Sequence, residues 1–410
     1  MKKDLLISVI VFYDLGVESK TNKTKERSKS LFTFFIFIFI KYISDCTLIM
    51  TKKQEKVSKV IFKNTELGKY ILERYTPKKD LTRLLAEYAK GVFTPKTLER
   101  VKSCGDFMQH LTTADLSTKR VHKSNNCGNR FCPICTWTKA KKDAIMISVL
   151  MKAVRAEKNQ EFIFLTLTAP NVGASELKNE IDKFNRAFKN LMKRQAVKKV
   201  VNGYIRKLEV TYNKEEFITK EMYRIMKDYF EARGLQVGDK NPNYNTYHPH
   251  FHVVMAVNKS YFTQTTQYIN RDKWLEMWQD CMDNPSITQV DVRKVRSTEK
   301  GEMSAVLEVA KYSAKGNEIY HSQSVFEVFY KALKGRQLLT FNGLFKEYVA
   351  KFKKGELDKY KEKDENEYTH LLTSVWKTSK YENVLRELTV AEMELYNAKA
   401  KYIEENSEVK

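Results

Sequence analysis

The chain has 410 residues, 42% of them hydrophobic and 12% aromatic, which is enough to bury a core in two or three domains and excludes a disordered protein. Lys and Arg outnumber Asp and Glu 73 to 50, and the simplest complement to a formal charge of +23 is a polyanion, nucleic acid first. Six cysteines in this length exclude a dense disulfide framework; four of them, Cys104, Cys127, Cys132 and Cys135, crowd one segment, as suits a reducing cytoplasm and a metal knot.

In chain order, residues 1–49 hold one apolar run, 31–43, shorter than the ~20 residues of a membrane-spanning helix and followed by no small-residue cleavage site. A lysine-rich, helix-compatible opening begins at Met50, so residues 1–49 are expected to be an over-long start, with no membrane anchor. Residues 50–160 read as helices around a cysteine-bearing loop, with apolar residues at helical spacing in 81–90. Residues 162–168 are β-rich and stop at Pro170, a central strand apolar on both faces. A helix over 175–199 follows, with Leu177, Ile181, Phe184, Phe188 and Leu191 as its stripe, and then a strand over 203–212. A charged insertion with a short helix near 219–233 leads to a strand over 247–257. Next come a helix over 260–282 carrying Tyr261, Tyr268, Trp274 and Trp278, and a strand over 287–295. A helix over 302–315 ends at Gly316, and 321–410 reads as charged helices with 338–345 as an apolar punctuation. The fold class expected is α+β: an antiparallel sheet in split β-α-β-β-α-β order within 161–320, helices on one face and the other face open, flanked by helical terminal regions.

Three of the chain's seven histidines fall within five residues, at strand spacing. Alternation puts His248, His250 and His252 on one face and Phe251, Val253, Met255 and Val257 on the other. On the preceding strand the same rule turns Glu209 toward the histidines and Leu208 and Val210 toward the helices. Imidazoles plus a carboxylate make a mixed nitrogen and oxygen site that takes Mg²⁺, Mn²⁺ or Zn²⁺. His248 is the weakest member, because Pro249 can splay the strand, and it suits a supporting place.

On the helix after the last strand, Glu308, Lys311, Tyr312 and Lys315 share one side, while Val306, Val309, Ala310 and Ser313 form the packing side. Two lysines one turn away would hold a tyrosine phenolate, and a carboxylate one turn before it would take a proton. Glutamate and tyrosine at this spacing are also ordinary surface chemistry; position after a histidine-bearing sheet is what singles them out. Cys127, Cys132 and Cys135, with Cys104 upstream, read as a structural Cys₄ zinc site, with His110 or His122 as substitute ligands. Beside it, Lys139, Lys141 and Lys142 suit DNA phosphates or simply a solvated helix face.

Phe-Leu-Thr-Leu-Thr at 164–168, His-Pro-His-Phe-His at 248–252 and Glu-x-x-x-Tyr at 308–312 stand in one order. Over roughly residues 100 to 350 the chain thereby resembles the HUH-endonuclease initiators of plasmid rolling-circle replication, which carry a similar cysteine-rich segment before the first motif. The resemblance implies that Tyr312 attacks one strand at the double-strand origin, leaving a 5′-phosphotyrosine and a 3′-OH primer. It further implies Mg²⁺ or Mn²⁺ on His250, His252 and Glu209, and Glu308 activating water at termination. Origin DNA, single-stranded or hairpin-extruded, and the host helicase and DNA polymerase are the implied partners, in a bacterial cytoplasm; the oligomeric state, a homodimer included, is open. Two alternatives remain: a transposase of the same chemistry, which shares this motif order, and a non-catalytic module, since the same strand order serves RNA-binding domains that stack bases on an open face. A relaxase, with its tyrosine ahead of the histidines, fits less well.

Overall fold

The computed structural model describes residues 70–296, 298–310, 318–402 and 407–408. The expectations for 1–49 and for Lys311, Tyr312, Ser313, Lys315 and Gly316 lie outside these residues.

The first sheet grows from the split order foreseen. Strand β3 (Gln160–Leu167) lies between β6 (Val290–Lys294) and β5 (Thr246–Asn258); β5 pairs with β4 (Val201–Asn213), and β4 with an edge strand β7 (Leu339–Gly343), all antiparallel. Ile163, Leu165, Leu167, Leu208, Val210, Phe251, Val253 and Met255 fill one face. Against it pack α4 (Leu177–Leu191), through the five stripe residues expected, and α8 (Arg271–Met282), through Trp274, Trp278 and Met282; α10 (Gln323–Leu333) adds Phe326 and Phe329. Phe184 meets Phe251 and Trp278 edge-on, each at 5.4 Å, and burying each such ring contributes roughly 1.5–3 kcal/mol.

The second face, expected to be open, is roofed over most of its area. Phe162, Phe164, Ile205, Val254 and Ala256 pack there under α3 (Pro133–Lys158), α9 (Glu299–Ala310) and α11 (Leu344–Lys353). The physical reason is visible in β3 and β5, whose residues are apolar on both sides and need cover on both. Val306, Val309 and Ala310 are the packing side of α9, as their spacing predicts.

Several local expectations shift. The helix over 175–199 ends at Leu191 and is followed by a separate turn, α5 (Gln195–Lys198), while the insertion carries two short helices, α6 (Lys220–Ile225) and α7 (Lys227–Glu231), in place of one. The helix over 260–282 begins only at Arg271, because the Asn270 side chain caps it by accepting from Lys273 N; Tyr261 sits in a short 3₁₀ turn (Lys259–Phe262) and Tyr268 is exposed. The punctuation at 338–345 is β7. It closes tightly on β4 where Gly203 faces Gly343, and a Cβ on either would strike the other strand's backbone.

The terminal regions, expected to be helical, also build a second sheet. Helices α1 (Thr76–Tyr88) and α2 (Pro95–Lys102) precede the hairpin β1 (Phe107–Thr112) and β2 (Lys119–Ser124). Strand β1 pairs with β8 (His370–Lys377), β8 with β9 (Lys380–Glu387), and β2 with the short β10 (Ser407–Glu408); α12 (Val390–Lys399) follows β9. A buried ion pair, Arg120 Nη1 to Asp364 Oδ2 at 2.9 Å, joins β2 to the segment before β8, with the Tyr368 hydroxyl donating to the same oxygen. Among the described residues no helix is long and apolar enough to cross a membrane.

Candidate metal centre

The pairing of β4 with β5 places Glu209 opposite His250, Lys207 opposite His252 and Thr211 opposite His248. Because all six point to the second face, one carboxylate and two imidazoles converge: His252 Nε2 lies 2.9 Å and His250 Nε2 3.2 Å from the same oxygen, Glu209 Oε2. The other ring nitrogens are occupied. His250 Nδ1 donates to the His248 backbone oxygen at 3.3 Å, and His252 Nδ1 is 3.4 Å from Thr166 Oγ1. That turns both Nε2 atoms inward, toward the position a metal would take.

Glu209, His250 and His252 are 3, 8 and 8% exposed, so their interactions run through protein rather than water. Burial by itself would raise the Glu209 carboxyl, but the hydrogen bonds and charge of His250 and His252 outweigh it and hold the group below the ordinary carboxylate range. The donor set fits a divalent ion. Ligands ~2.1 Å from a metal and at right angles to each other stand about 3.0 Å apart, the spacing seen between the carboxylate oxygen and each imidazole.

His248 is not brought into this group. The potential ligand atoms within 4.8 Å of one another belong to Glu209, His250 and His252 alone among the described residues near it. Pro249 does not splay the strand, which runs unbroken with Val210 opposite it. The reason is instead one of spacing: His248 lies one strand repeat, ~6.8 Å, further along and faces a threonine rather than a carboxylate. Its ring stacks obliquely 5.3 Å from that of His250, and burial together with that neighbour lowers it to about 4.

The first motif supports the histidines rather than adding a ligand. Phe164 packs its ring 5.7 Å from His252, Thr166 reaches His252 Nδ1, and the Thr168 backbone oxygen accepts from Trp278 Nε1. Even-numbered residues of β3 share the histidine face, so period-2 alternation applied to this strand would have found Thr166.

Sequence reasoning missed Lys207. It is buried beside the cluster, and burial lowers it to about 8, offset in part by Asp143 and Glu209. Lys139, foreseen as a DNA contact, pairs with Asp143 at 2.8 Å on the same side of α3; Lys141 turns away onto Trp137, and Lys142 is half-buried. Glu308 lies half-buried near the end of α9, two residues from the last described residue of that helix.

The four cysteines come together. Cys104 follows α2, Cys127 follows β2, Cys132 precedes α3 and Cys135 lies in its first turn. Their sulfurs stand 3.5–3.6 Å apart in three pairs, far from a disulfide bond and close to the ~3.8 Å edge of a tetrahedron with 2.3 Å metal–sulfur bonds. Backbone N–H groups of Cys127, Gly128 and Asn129 donate to three different sulfurs, and hydrogen bonds from the other three thiols push the Cys135 thiol far down. The buried Lys79 ammonium donates to the Lys102 and Cys104 oxygens and pairs with Asp106, which ties α1 to this loop. The alternative ligands are elsewhere: His110 is buried against Tyr75 and His122 packs on Tyr396.

A family described as replication protein matches residues 118–384. The chain belongs to this replication-protein family. A protein named "Protein rep" from Staphylococcus aureus is 38% identical over 255 residues, covering 62% of this chain and 98% of its own length. Two more of the same name, from Streptococcus pneumoniae serotype 2 and Lentilactobacillus hilgardii, are 31% and 30% identical, over 72% and 67% of this chain and 84% and 80% of their own. No solved structure matches. The replication-protein match takes in both groups that could hold a metal, apart from Cys104, together with β2, all of β8 and most of β9.

Proposed function

We propose that this replication protein is a metal-dependent, site-specific endonuclease of the HUH type, which starts and ends plasmid rolling-circle replication by nicking and rejoining one strand at the double-strand origin. The observation that carries the reading is the convergence of two buried imidazole Nε2 atoms on one buried carboxylate oxygen, on the sheet face that also packs α9. The replication-protein family membership favours an initiator over a transposase. A base-stacking module is disfavoured because the face it would use is roofed by α3, α9 and α11.

In this mechanism the Tyr312 oxygen attacks the scissile phosphorus, a P–O bond forms, the P–O3′ bond breaks, and the 3′-oxygen leaves as the primer hydroxyl with a proton. His250, His252 and Glu209 would hold Mg²⁺ or Mn²⁺, which when bound polarises the phosphate and offsets its growing charge. Phe164 and Thr166 keep the His252 ring at its angle. Lys311, the residue before Tyr312, and Lys315, three residues after it, would favour its phenolate. Glu308 takes the proton from water when the phosphotyrosine is hydrolysed, so release needs no second tyrosine. Zn²⁺ on Cys104, Cys127, Cys132 and Cys135 would be structural, fixing the start of α3. The catalytic domain of this reading is 161–320, completed by β7 and α11, and it acts on origin DNA, with the host helicase and polymerase, in the bacterial cytoplasm.

The test is to incubate the protein with labelled origin single strand and Mn²⁺ and to look for a covalent adduct on a denaturing gel. An adduct that disappears in Tyr312→Phe and in excess EDTA is expected. No adduct from the wild type removes the enzyme, an adduct in Tyr312→Phe removes the nucleophile, and nicking in EDTA removes the metal.

A further inference from the structure

A cavity of about 330 Å³ lies between the loop joining α1 to α2, the loop joining Cys127 to Cys132, and the end of α10. Its walls belong to the core that α4 covers on the first sheet, whereas the histidine cluster belongs to that sheet's other face, so the two sites are separate. Phe93, Phe131 and Tyr330 form an aromatic wall. The Tyr330 ring centre lies 5.7 Å from that of Phe93 and 5.5 Å from that of Phe131, and the buried Phe326 backs those two phenylalanines edge-on at 6.1 and 5.9 Å. Phe93 and Tyr330 are half-buried, so apolar ring surface stays open to the cavity.

Two exposed cations, Arg130 and Lys334, stand at the rim, and no acidic side chain lines the cavity. The Lys334 ammonium lies 5.0 Å from the centre of the Tyr330 ring. Arg130 Nη1 donates to the Leu333 and Arg336 backbone oxygens at 3.1 and 2.6 Å, which fixes the guanidinium against the end of α10. Arg336 is itself neutralised by two hydrogen bonds to Asp182, whereas neither Arg130 nor Lys334 has a carboxylate within 4 Å among the described residues. The Asn129 side-chain oxygen accepts from Phe131 N at 2.8 Å, which leaves its amide nitrogen as a donor. Lone surface cations are ordinary in a chain of charge +23; what singles out this pair is its place beside open aromatic rings in a concave site. The rings take a flat apolar group and the cations take a nearby anion, and a nucleotide carries both in its base and its phosphate. The volume falls at the lower end of the roughly 300–1,000 Å³ of small-ligand sites, which suits one unpaired nucleotide rather than a stretch of duplex.

We propose that this cavity holds one unpaired nucleotide of single-stranded DNA, with its base against Phe93 and Tyr330 and its phosphate at Arg130 and Lys334. That the nucleotide belongs to DNA rests on the proposed function above. Because the cavity is separate from the metal centre, it anchors the strand away from the nick site. Stacking is open to every base, so the contact supplies affinity and leaves sequence reading to other parts of the chain.

The experiment measures binding of the full chain to a labelled 12-residue strand of deoxythymidine across a series of salt concentrations. Neither divalent ion nor chelator is added, so no cleavage intervenes and the cysteine site is left intact. Phe93→Leu, which keeps apolar bulk but not the ring, is expected to weaken binding roughly 5- to 150-fold at an unchanged salt slope, the range for one lost base–aromatic contact. On a strand of twelve abasic sites the same variant should bind as wild type does, which a purely structural role for Phe93 would not produce. Lys334→Gln should lower the slope of log affinity against log salt by about 0.7, the share of one single-strand phosphate, and Lys334→Arg should keep the wild-type slope. Lys334 is exposed, so its variants keep the test valid if Phe93→Leu does not fold. Thymidine 5′-monophosphate should displace the strand only at concentrations far above that of the strand itself. Three results overturn the proposal: wild-type affinity in folded Phe93→Leu, an unchanged slope in Lys334→Gln, or monophosphate binding as tight as that of the strand, which would make this a free-nucleotide site. Failure here is distinguishable from failure of the nuclease reading, which shows as no tyrosine adduct from wild type, whatever the strand binding.

Discussion

Replacing Glu209 by glutamine keeps the side chain's shape and an acceptor oxygen but removes its charge. Without metal, both imidazoles reach the carboxylate at 2.9 and 3.2 Å, and hydrogen bonds to a charged acceptor are worth about 1 kcal/mol more than to a neutral one, so the metal-free variant should lose roughly 2 kcal/mol of stability. The larger effect is on the ion. Supporting residues around a metal are each worth 10–100-fold in affinity, so loss of an anionic ligand should cost at least about 100-fold, or about 2.7 kcal/mol. At a Mn²⁺ concentration about 100 times the wild-type Kd, the ion adds about 2.7 kcal/mol to wild-type stability and about 0.4 kcal/mol to the variant. Calorimetric titration gives the Kd, and urea unfolding with and without Mn²⁺ gives both gains. His248→Ala, outside the cluster, should keep the wild-type gain. Equal gains in wild type and Glu209→Gln, or loss of the gain in His248→Ala, would refute a ligand set fixed by strand register.

Lys207→Met removes a buried cation beside Glu209 and should leave stability unchanged or raise it by about 1 kcal/mol, while single-turnover nicking falls tenfold or more at unchanged Mn²⁺ affinity; undiminished nicking would show that Lys207 serves packing alone. His110 is 1% exposed, and burial, with Lys119 and Lys141 nearby, lowers it to about 3. Its folded pKa lies below the unfolded value near 6.5, so its contribution is complete above about pH 6.5 and is lost as pH falls toward 3, by about 1.4 kcal/mol per pH unit. Urea unfolding between pH 7 and 4 should show this slope, and His110→Phe should flatten it; the same slope in both proteins would place the titration elsewhere. Elemental analysis should find one zinc per chain in the wild type and none in Cys132→Ser, with a lower unfolding midpoint for the variant; retained zinc in Cys132→Ser would exclude the four-cysteine site.

Much of the first sheet was legible because its strands and stripes are local patterns. Leu177 to Leu191 repeat at helical spacing and all five stripe residues are buried, and period-2 alternation in 201–213 and 246–258 correctly separates Glu209 and His250 from Leu208 and Phe251. The helix start at Arg271 was missed because apolar residues at 261 and 268 mimic its stripe, while the Asn270 cap is a single polar residue. The roof over the second face was missed because a strand apolar on both sides says that cover exists without saying which helix supplies it. The second sheet was less legible still: β1 meets β8 across more than 250 residues, and β2 is rich in basic residues with Val121 as its one apolar side chain, so neither strand shows the alternation that marks a half-buried edge.

The sequence by itself determined which residue types the candidate site holds, their face of the strand, the four-cysteine grouping and membership of the replication-protein family, because each is written in the run of residues itself. Tertiary structure decided which of those residues meet. Strand register put Glu209 opposite His250 and left His248 facing Thr211, and the phase of α3 sent Lys139 to Asp143 and Lys141 to Trp137. It also buried Lys207 beside Glu209, a placement that depends on how α3 packs across β4 and that no local pattern encodes.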